Sequence, residues 1–334
     1  MSDPAADEDG AGQPTQQFAG FWSSARTFGL RCGQAISRGE VRGYYIDFRI
    51  KARSPNWPPA WLDPVEERLH VVTIQWALGC YERWIAGEGD RWLAGALLAA
   101  EELLETQCLD GGDQDGGWVH HSPYPHTFRL KPPWVSGISQ GEGASLMVRL
   151  HAATGDDRFA GAALRALGPM RVPTQRGGVG TTLDGRPFPE EYPTTPPSYV
   201  LNGAIFGLWG IHDVAVGLAD GGAQQELAAC LEMLEASLHR WDLGWWSRYD
   251  LHPHLVLNPA SSAYHALHVS QLQALSMIAP RPEFERVLRR FESYSTSRAA
   301  RARALVHKVA FRLAVPRNPT LSRRLPWGAH AVRR

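Results

Sequence analysis

A chain of 334 residues with 44% hydrophobic content can bury one large core or two modest ones, and no apolar run approaches the ~20 residues of a membrane span. The formal net charge of +0 conceals an asymmetry: from Ser293 to Arg334 there are ten Arg or Lys and no Asp or Glu, so the rest of the chain is net acidic. The four cysteines, Cys32, Cys80, Cys108 and Cys230, stand singly without metal-ligand spacing, which argues against a zinc site and for reduced thiols in a cytoplasmic protein.

Residues 1–17 are acidic and Gly/Pro-rich, with neither the basic start nor the apolar core of a secretory signal, and are expected to be a disordered tail. Residues 18–62 are rich in Pro, Arg and aromatics; within them Gly43 to Ile50 (GYYIDFRI) predicts one or two short strands. Across 63–298 the spacing predicts eight helical segments, at about 65–86, 90–107, 140–154, 157–169, 198–218, 222–240, 261–279 and 282–297. Asp90 to Leu97 (DRWLAGAL) recurs as Asp157 to Leu164 (DRFAGAAL), a repeat at fixed offset. The first, third, fifth and seventh segments are apolar on most of their circumference. The sixth instead carries one stripe, Leu227, Leu231, Leu234 and Leu238. Buried helices alternating with one-faced helices predict a mainly α fold, an α/α toroid of four helical hairpins, with a two-layer helical solenoid as the alternative. Residues 299–334 form a basic tail. Its stretch Ala299 to Val315 is helix-compatible, with apolar and cationic faces suited to an anionic surface, either a membrane or an acidic polymer.

In a toroid the loops entering the inner helices converge at one end of the axis, and here those loops carry the chemistry. They hold Trp118 after two glycines, then Trp134, Gln140 and Glu142, then Glu190, Glu191 and Tyr192, then Arg248, Tyr249 and His252, and finally Tyr264 and His265. Trp118 and Trp134 beside glycines suit stacking on sugar rings or plugging of a core edge. Tyr264, His268 and Gln271 share one helix face, a polar stripe that either lines a cavity or bonds to neighbouring helices. No Gly-rich phosphate loop follows a strand, no Gly-x-Ser-x-Gly elbow occurs, and His265 and His268 lack zinc spacing, so neither metal nor cofactor is expected. One carboxylate, Glu191, with the phenols of Tyr192, Tyr249 and Tyr264 differs from the two opposed carboxylates of glycoside hydrolysis. Such a set suits removal of a carbon-bound proton on one face and its return on the other.

Four blocks, WVSGISQGEGAS from Trp134, EEYPTTPPSYVLNG from Glu190, YDLH from Tyr249 and YHALHVSQLQAL from Tyr264, resemble the C-terminal domain of the D-glucuronyl C5-epimerases, in a short bacterial-type form. That family inverts uronic acid units in heparan-type polysaccharides. The resemblance implies an α/α barrel and a uronate-containing polysaccharide as partner, with no nucleic acid. It also implies catalytic roles for Glu191, Tyr192, Tyr249 and Tyr264; the convergent loops and the polar stripe add Glu190, Trp118, Trp134, Gln140, Glu142, His265 and His268 as expected substrate contacts. Where the family has Tyr-Asp-Leu-Arg, this chain has His252 in place of the arginine that would hold a uronate carboxylate, with Arg248 and His254 as substitutes. Residues 18–62 stand where the animal enzymes carry β domains that hold calcium. The competing readings are a polysaccharide lyase, a glycan-binding toroid without activity, and a glycoside hydrolase.

Overall fold

A computed structural model describes residues 30–59, 62, 68–123 and 127–316; the expectations for residues 1–17, for the first helix before residue 68 and for the tail beyond 316 lie outside the described residues. All eight expected helices are present. In chain order they are α1 (His70–Ile85), α2 (Asp90–Thr106), α3 (Gly137–Thr154) and α4 (Asp157–Ala166), then a single turn α5 (Gly168–Arg171), then α6 (Leu201–Gly217), α7 (Gly221–Ser237), α8 (Ser262–Ile278) and α9 (Pro282–Thr296). A further helix, α10 (Arg298–Ala314), opens the basic stretch. Short polar caps start several of them: Asp156, Asp220, Ser261 and Ser297 each accept a backbone N–H of the first turn.

The alternation in burial follows the sequence pattern. Every residue from Gly137 to Leu150 on α3 and from Leu201 to Ala215 on α6 is buried. On α9 only Phe284, Val287 and Phe291 are, at the spacing of a single stripe. The more deeply buried helices pack in chain order, α1 on α3, α3 on α6 and α6 on α8, while α2, α4, α7 and α9 each cover the helix they follow. α3 and α6 approach closely because a glycine faces a glycine: a Cβ on Gly210 would sit 2.5 Å from the Gly141 Cα. Inner helices in order, each under its own outer helix, are common to the toroid and to the solenoid. The structure is therefore mainly helical and two-layered.

The expected strand over Gly43–Ile50 is not formed; only an isolated bridge joins Cys32 to Ile46. Tyr44, Tyr45, Ile46 and Phe48 are buried instead, so their aromatic and branched character serves packing and not strand pairing. Together with the preceding residues from Leu30, the segment bonds to all four inner helices. Tyr44 N–H donates to Glu82 of α1, Arg149 of α3 donates to the Gly43 carbonyl at 2.8 Å, the Tyr45 hydroxyl meets His212 and Asp213 of α6, and Ser270 of α8 donates to the Leu30 carbonyl at 3.4 Å. Among the described residues the strands form two small antiparallel pairs, β1 (Val119–His120) with β2 (Trp134–Val135) and β3 (Gly180–Leu183) with β4 (Arg186–Pro189). The β3–β4 turn is Asp184–Gly185, both at positive φ (51° and 79°), the local signature of a tight hairpin.

Candidate active site

Strand β4 runs directly into the acidic pair, and the fold gives its two members different work. Glu190 is fully buried; one oxygen accepts the Ser198 hydroxyl and the other the Tyr199 N–H at 2.8 Å. It pins the turn in which Tyr199 adopts the left-handed region (φ 50°) just before α6. Burial pushes its carboxyl up to about 7 against these bonds. Both oxygens are committed to the loop, so Glu190 acts as its anchor and not as a substrate contact.

Glu191 is 3% exposed, and burial pushes its carboxyl up to about 8. A hydrogen bond from Tyr192 pulls the other way, and the charges of Glu190 and Asp250 add to the rise. Asn202 at the start of α6 approaches its Oε2 at 3.5 Å. The carboxylate lies flat on that helix because position 203 is glycine: a Cβ there would stand 2.4 Å from the Glu191 Cβ. A buried carboxyl poised near neutrality is a candidate general base.

Backbone bonds assemble the sequence-distant blocks around it. Gly137 N–H donates to the Glu191 carbonyl at 3.0 Å, Leu201 N–H to the Tyr249 carbonyl at 3.2 Å, and Leu251 and His252 N–H to the Ser198 carbonyl. Tyr249 and Tyr264 then meet edge to face, with ring centroids 4.9 Å apart. Tyr192 lies 5.7 Å from Phe128 and 6.5 Å from Trp134. Trp134, Tyr192 and Tyr249 thus belong to one apolar cluster, which also takes in Phe128 and Ala304 of α10, and the half-buried Tyr264 packs against both it and the main core. Buried polar groups also bridge neighbouring inner helices. Lys51 donates to Gln75 of α1, Gln75 donates to Glu142 of α3 at 2.9 Å, and Gln271 of α8 donates to the Asn202 carbonyl at 3.0 Å. Burial pushes Glu142 up to about 8, with Gln75 and Lys51 opposing and Glu191 adding to the rise. Glu142 Oε2, Asn202 Oδ1 and Gln271 Oε1 are buried without a hydrogen-bond partner within the protein.

Other expected site residues have structural roles. Trp118 is fully buried, with its indole N–H on the Leu103 carbonyl, and offers no face to a sugar. Gln140 accepts the Trp118 N–H and donates to the Gly116 and Ala166 carbonyls. His265 is stacked on Trp246 at 3.7 Å and held by Ser247 and the Phe291 carbonyl; burial pushes it down to about 4. His268 shares Ser247 and is pushed down to about 3, also by burial. Arg248 has Asp250 and Arg240 as its charged neighbours.

His252 does lie by the cluster, 5.2 Å from Phe128, but burial lowers its pKa, so the cationic role expected there is disfavoured. A different cation stands at the cluster. Lys308 of α10 donates to Asn258 at 2.7 Å and the Pro259 carbonyl at 2.9 Å, and its ammonium stands 5.2 Å over the Tyr249 ring. Phe311 on the same helix packs 5.0 Å from His254. The sequence offered one signal for these residues, the helix-compatible cationic stretch, and none for its docking here. Among the described residues no group of three His, Cys, Asp or Glu side chains could hold a metal ion.

A family model described as the D-glucuronyl C5-epimerase C-terminus matches residues 112–293, more than half of the chain. Over 222 residues the chain is 29% identical to the D-glucuronyl C5-epimerase of Caenorhabditis elegans, covering 61% of this chain and 35% of that protein. Over 163 residues it is 27% identical to an uncharacterised protein of Methanocaldococcus jannaschii, covering 47% of this chain and 50% of that one. The match thus spans a half or less of each relative's length. The chain belongs to the D-glucuronyl C5-epimerase C-terminal family.

Proposed function

We propose that this protein inverts C5 of D-glucuronate units in a polysaccharide or glycoconjugate, by proton abstraction and return without a cofactor, on an α/α toroid. The observation that carries this reading is Glu191: a buried carboxyl pushed up to about 8, bonded to Tyr192 and gathered with Tyr249 and Tyr264 at the start of inner helices. The C5 hydrogen of a uronate is acidic because the adjacent carboxylate takes up charge as an aci-enolate, which needs cations or donors in a dry pocket. Glu191 in its ionised form takes the C5 proton; Tyr264 gives its hydroxyl proton to the opposite face; proton return from Glu191 to Tyr264 restores the enzyme. Tyr192 and Tyr249 position the carboxylate and ring oxygens. Lys308 supplies the positive charge that the family takes from the arginine replaced here by His252. Closure into a toroid is supported by the 30–52 segment, which reaches all four inner helices, and by two buried polar pairs between neighbouring inner helices, Gln75–Glu142 and Gln271–Asn202. The four cysteines are free, in keeping with a reducing, cytoplasmic setting.

Incubation with heparosan in heavy water tests the reading. Deuterium should enter at C5 and iduronate accumulate toward equilibrium without loss of chain length. An unsaturated product absorbing in the ultraviolet would make the protein a lyase, new reducing ends a hydrolase, and binding without exchange a glycan-binding toroid.

A further inference from the structure

The two faces of α10 are built for different surroundings. Inward it buries Ala304 on the site cluster and Phe311 against His254, with Lys308 held by Asn258 and Pro259 and Arg312 donating to Thr127 at 2.8 Å. Outward it shows Leu305 (65% exposed), Val306 (67%), Val309 (51%) and Leu313 (81%). At about 100° per residue these four, with the exposed Ala299, Ala302 and Ala310, fill an arc of about 140° interrupted only by Arg298 at the helix start. Arg301 and Arg312 edge the arc on one side, Arg303 and His307 on the other. The loop to which Lys308 is bonded carries Leu255, 99% exposed.

We propose that α10 is a membrane-surface helix, its outer stripe lying in the headgroup region of an anionic bilayer while its inner face remains on the site. Three observations select this partner. Ten cations without an anion from Ser293 onward complement anionic lipid and oppose pairing with a second copy, which would bring like charges together. A soluble polyanion would match the charges but leave the Leu/Val stripe in water. No described helix is long and apolar enough to cross a membrane, so the helix lies on the surface. This inference does not depend on the epimerase reading, because it is read from binding and not from turnover.

The test is co-sedimentation of the full chain with phosphatidylglycerol/phosphatidylcholine vesicles and with phosphatidylcholine alone, over a salt series. The protein should bind the anionic vesicles, less at high salt, and the neutral ones weakly. The variant Leu305→Gln/Val309→Gln/Leu313→Gln keeps every charge and alters only exposed positions. It should keep its melting temperature and lose at least about tenfold in affinity, since three apolar side chains no longer leave water for the bilayer interface. A control with Leu305→Met/Leu313→Met should bind like the parent. Undiminished binding by the Gln variant would leave the charges alone as the docking element and overturn the proposal. So would binding confined to heparosan, or a stripe-dependent dimer in analytical ultracentrifugation without vesicle binding.

Discussion

Two buried clusters of charge, toward opposite ends of the inner helices, obey different electrostatics. At one end Arg149 and Asp213, both fully buried, face each other, and Arg149 also donates to the Ser145 and Gly43 carbonyls while Tyr45 donates to Asp213. Burial is the largest single influence on the Asp213 carboxyl and would raise it, but the charges and hydrogen bonds of Arg149 and His212 together outweigh it and hold the pKa below its ordinary value. At the other end Glu190, Glu191 and Asp250 gather, and the main influences on Glu191 are burial, a phenol and like charges. The first cluster is matched, charge for charge, and locks the N-terminal segment onto the helices. The second leaves a carboxyl whose proton is loosely assigned. Stability and reactivity are thus separated along the same helices.

Breaking each cluster should give opposite phenotypes. Glu191→Gln should cut turnover by about 10²- to 10⁴-fold, the contribution of one positioned acid or base, while heparosan affinity stays within a few fold. Thermal stability should hold or rise, because a buried carboxyl has been neutralised. If Glu190→Gln were the inactive variant and Glu191→Gln active, the division of the pair argued above would be reversed. Arg149→Met should do the converse, costing about 3–5 kcal/mol in chemical denaturation by stranding Asp213, with turnover per folded molecule within a few fold. A large kinetic loss at unchanged stability would move that pair into the site.

Lys308→Met should lower kcat/KM by roughly 10- to 100-fold, from the ~1.5–3 kcal/mol of a hydrogen bond to a charged group, and Lys308→Arg should recover most of it. An undiminished Met variant would remove Lys308 as the carboxylate's partner.

The pH dependence sharpens the contrast. With the ionised form of Glu191 as the proposed base, kcat/KM should rise about tenfold per pH unit and level off above about 8. For folding the sign is opposite. With its folded pKa raised, Glu191 binds more protons folded than unfolded, so stability falls as pH rises from the ordinary carboxyl range toward 8; Glu191→Gln should flatten that slope. Asp213, with its pKa lowered, contributes above its ordinary value and loses that contribution only in acid. A rate profile flat from pH 6 to 8 would refute the assignment of Glu191 as base. The smallest effect belongs to His252→Asn, which should leave the pH profile unchanged; loss of a limb near the imidazole range would return the cation to that position.

The eight helices were legible because apolar period and short polar caps are local properties, and the acidic turn stood out for the same reason. The β3–β4 hairpin is as local as these, its two-residue turn Asp184–Gly185 being a turn-forming pair. Residues 43–50 misled because aromatic, branched sequence fits a strand and a core alike. Trp118, Gln140, His265 and His268 misled because a polar or aromatic residue near a glycine-rich loop reads the same whether its partners are backbone carbonyls or a sugar.

What the chain by itself determined was its helical hairpins, the order of the four motif blocks and the identity of a carboxylate among phenols, all set by residues within one or two turns of each other. Tertiary structure decided which glutamate of the pair is bound to its own loop, which histidines are buried and uncharged, and that α10 brings Lys308 over Tyr249. Those outcomes depend on contacts such as Arg149 to Gly43 and Arg312 to Thr127, 106 and 185 residues apart, which no local pattern encodes because burial and charge pairing act on distance in space and not along the chain.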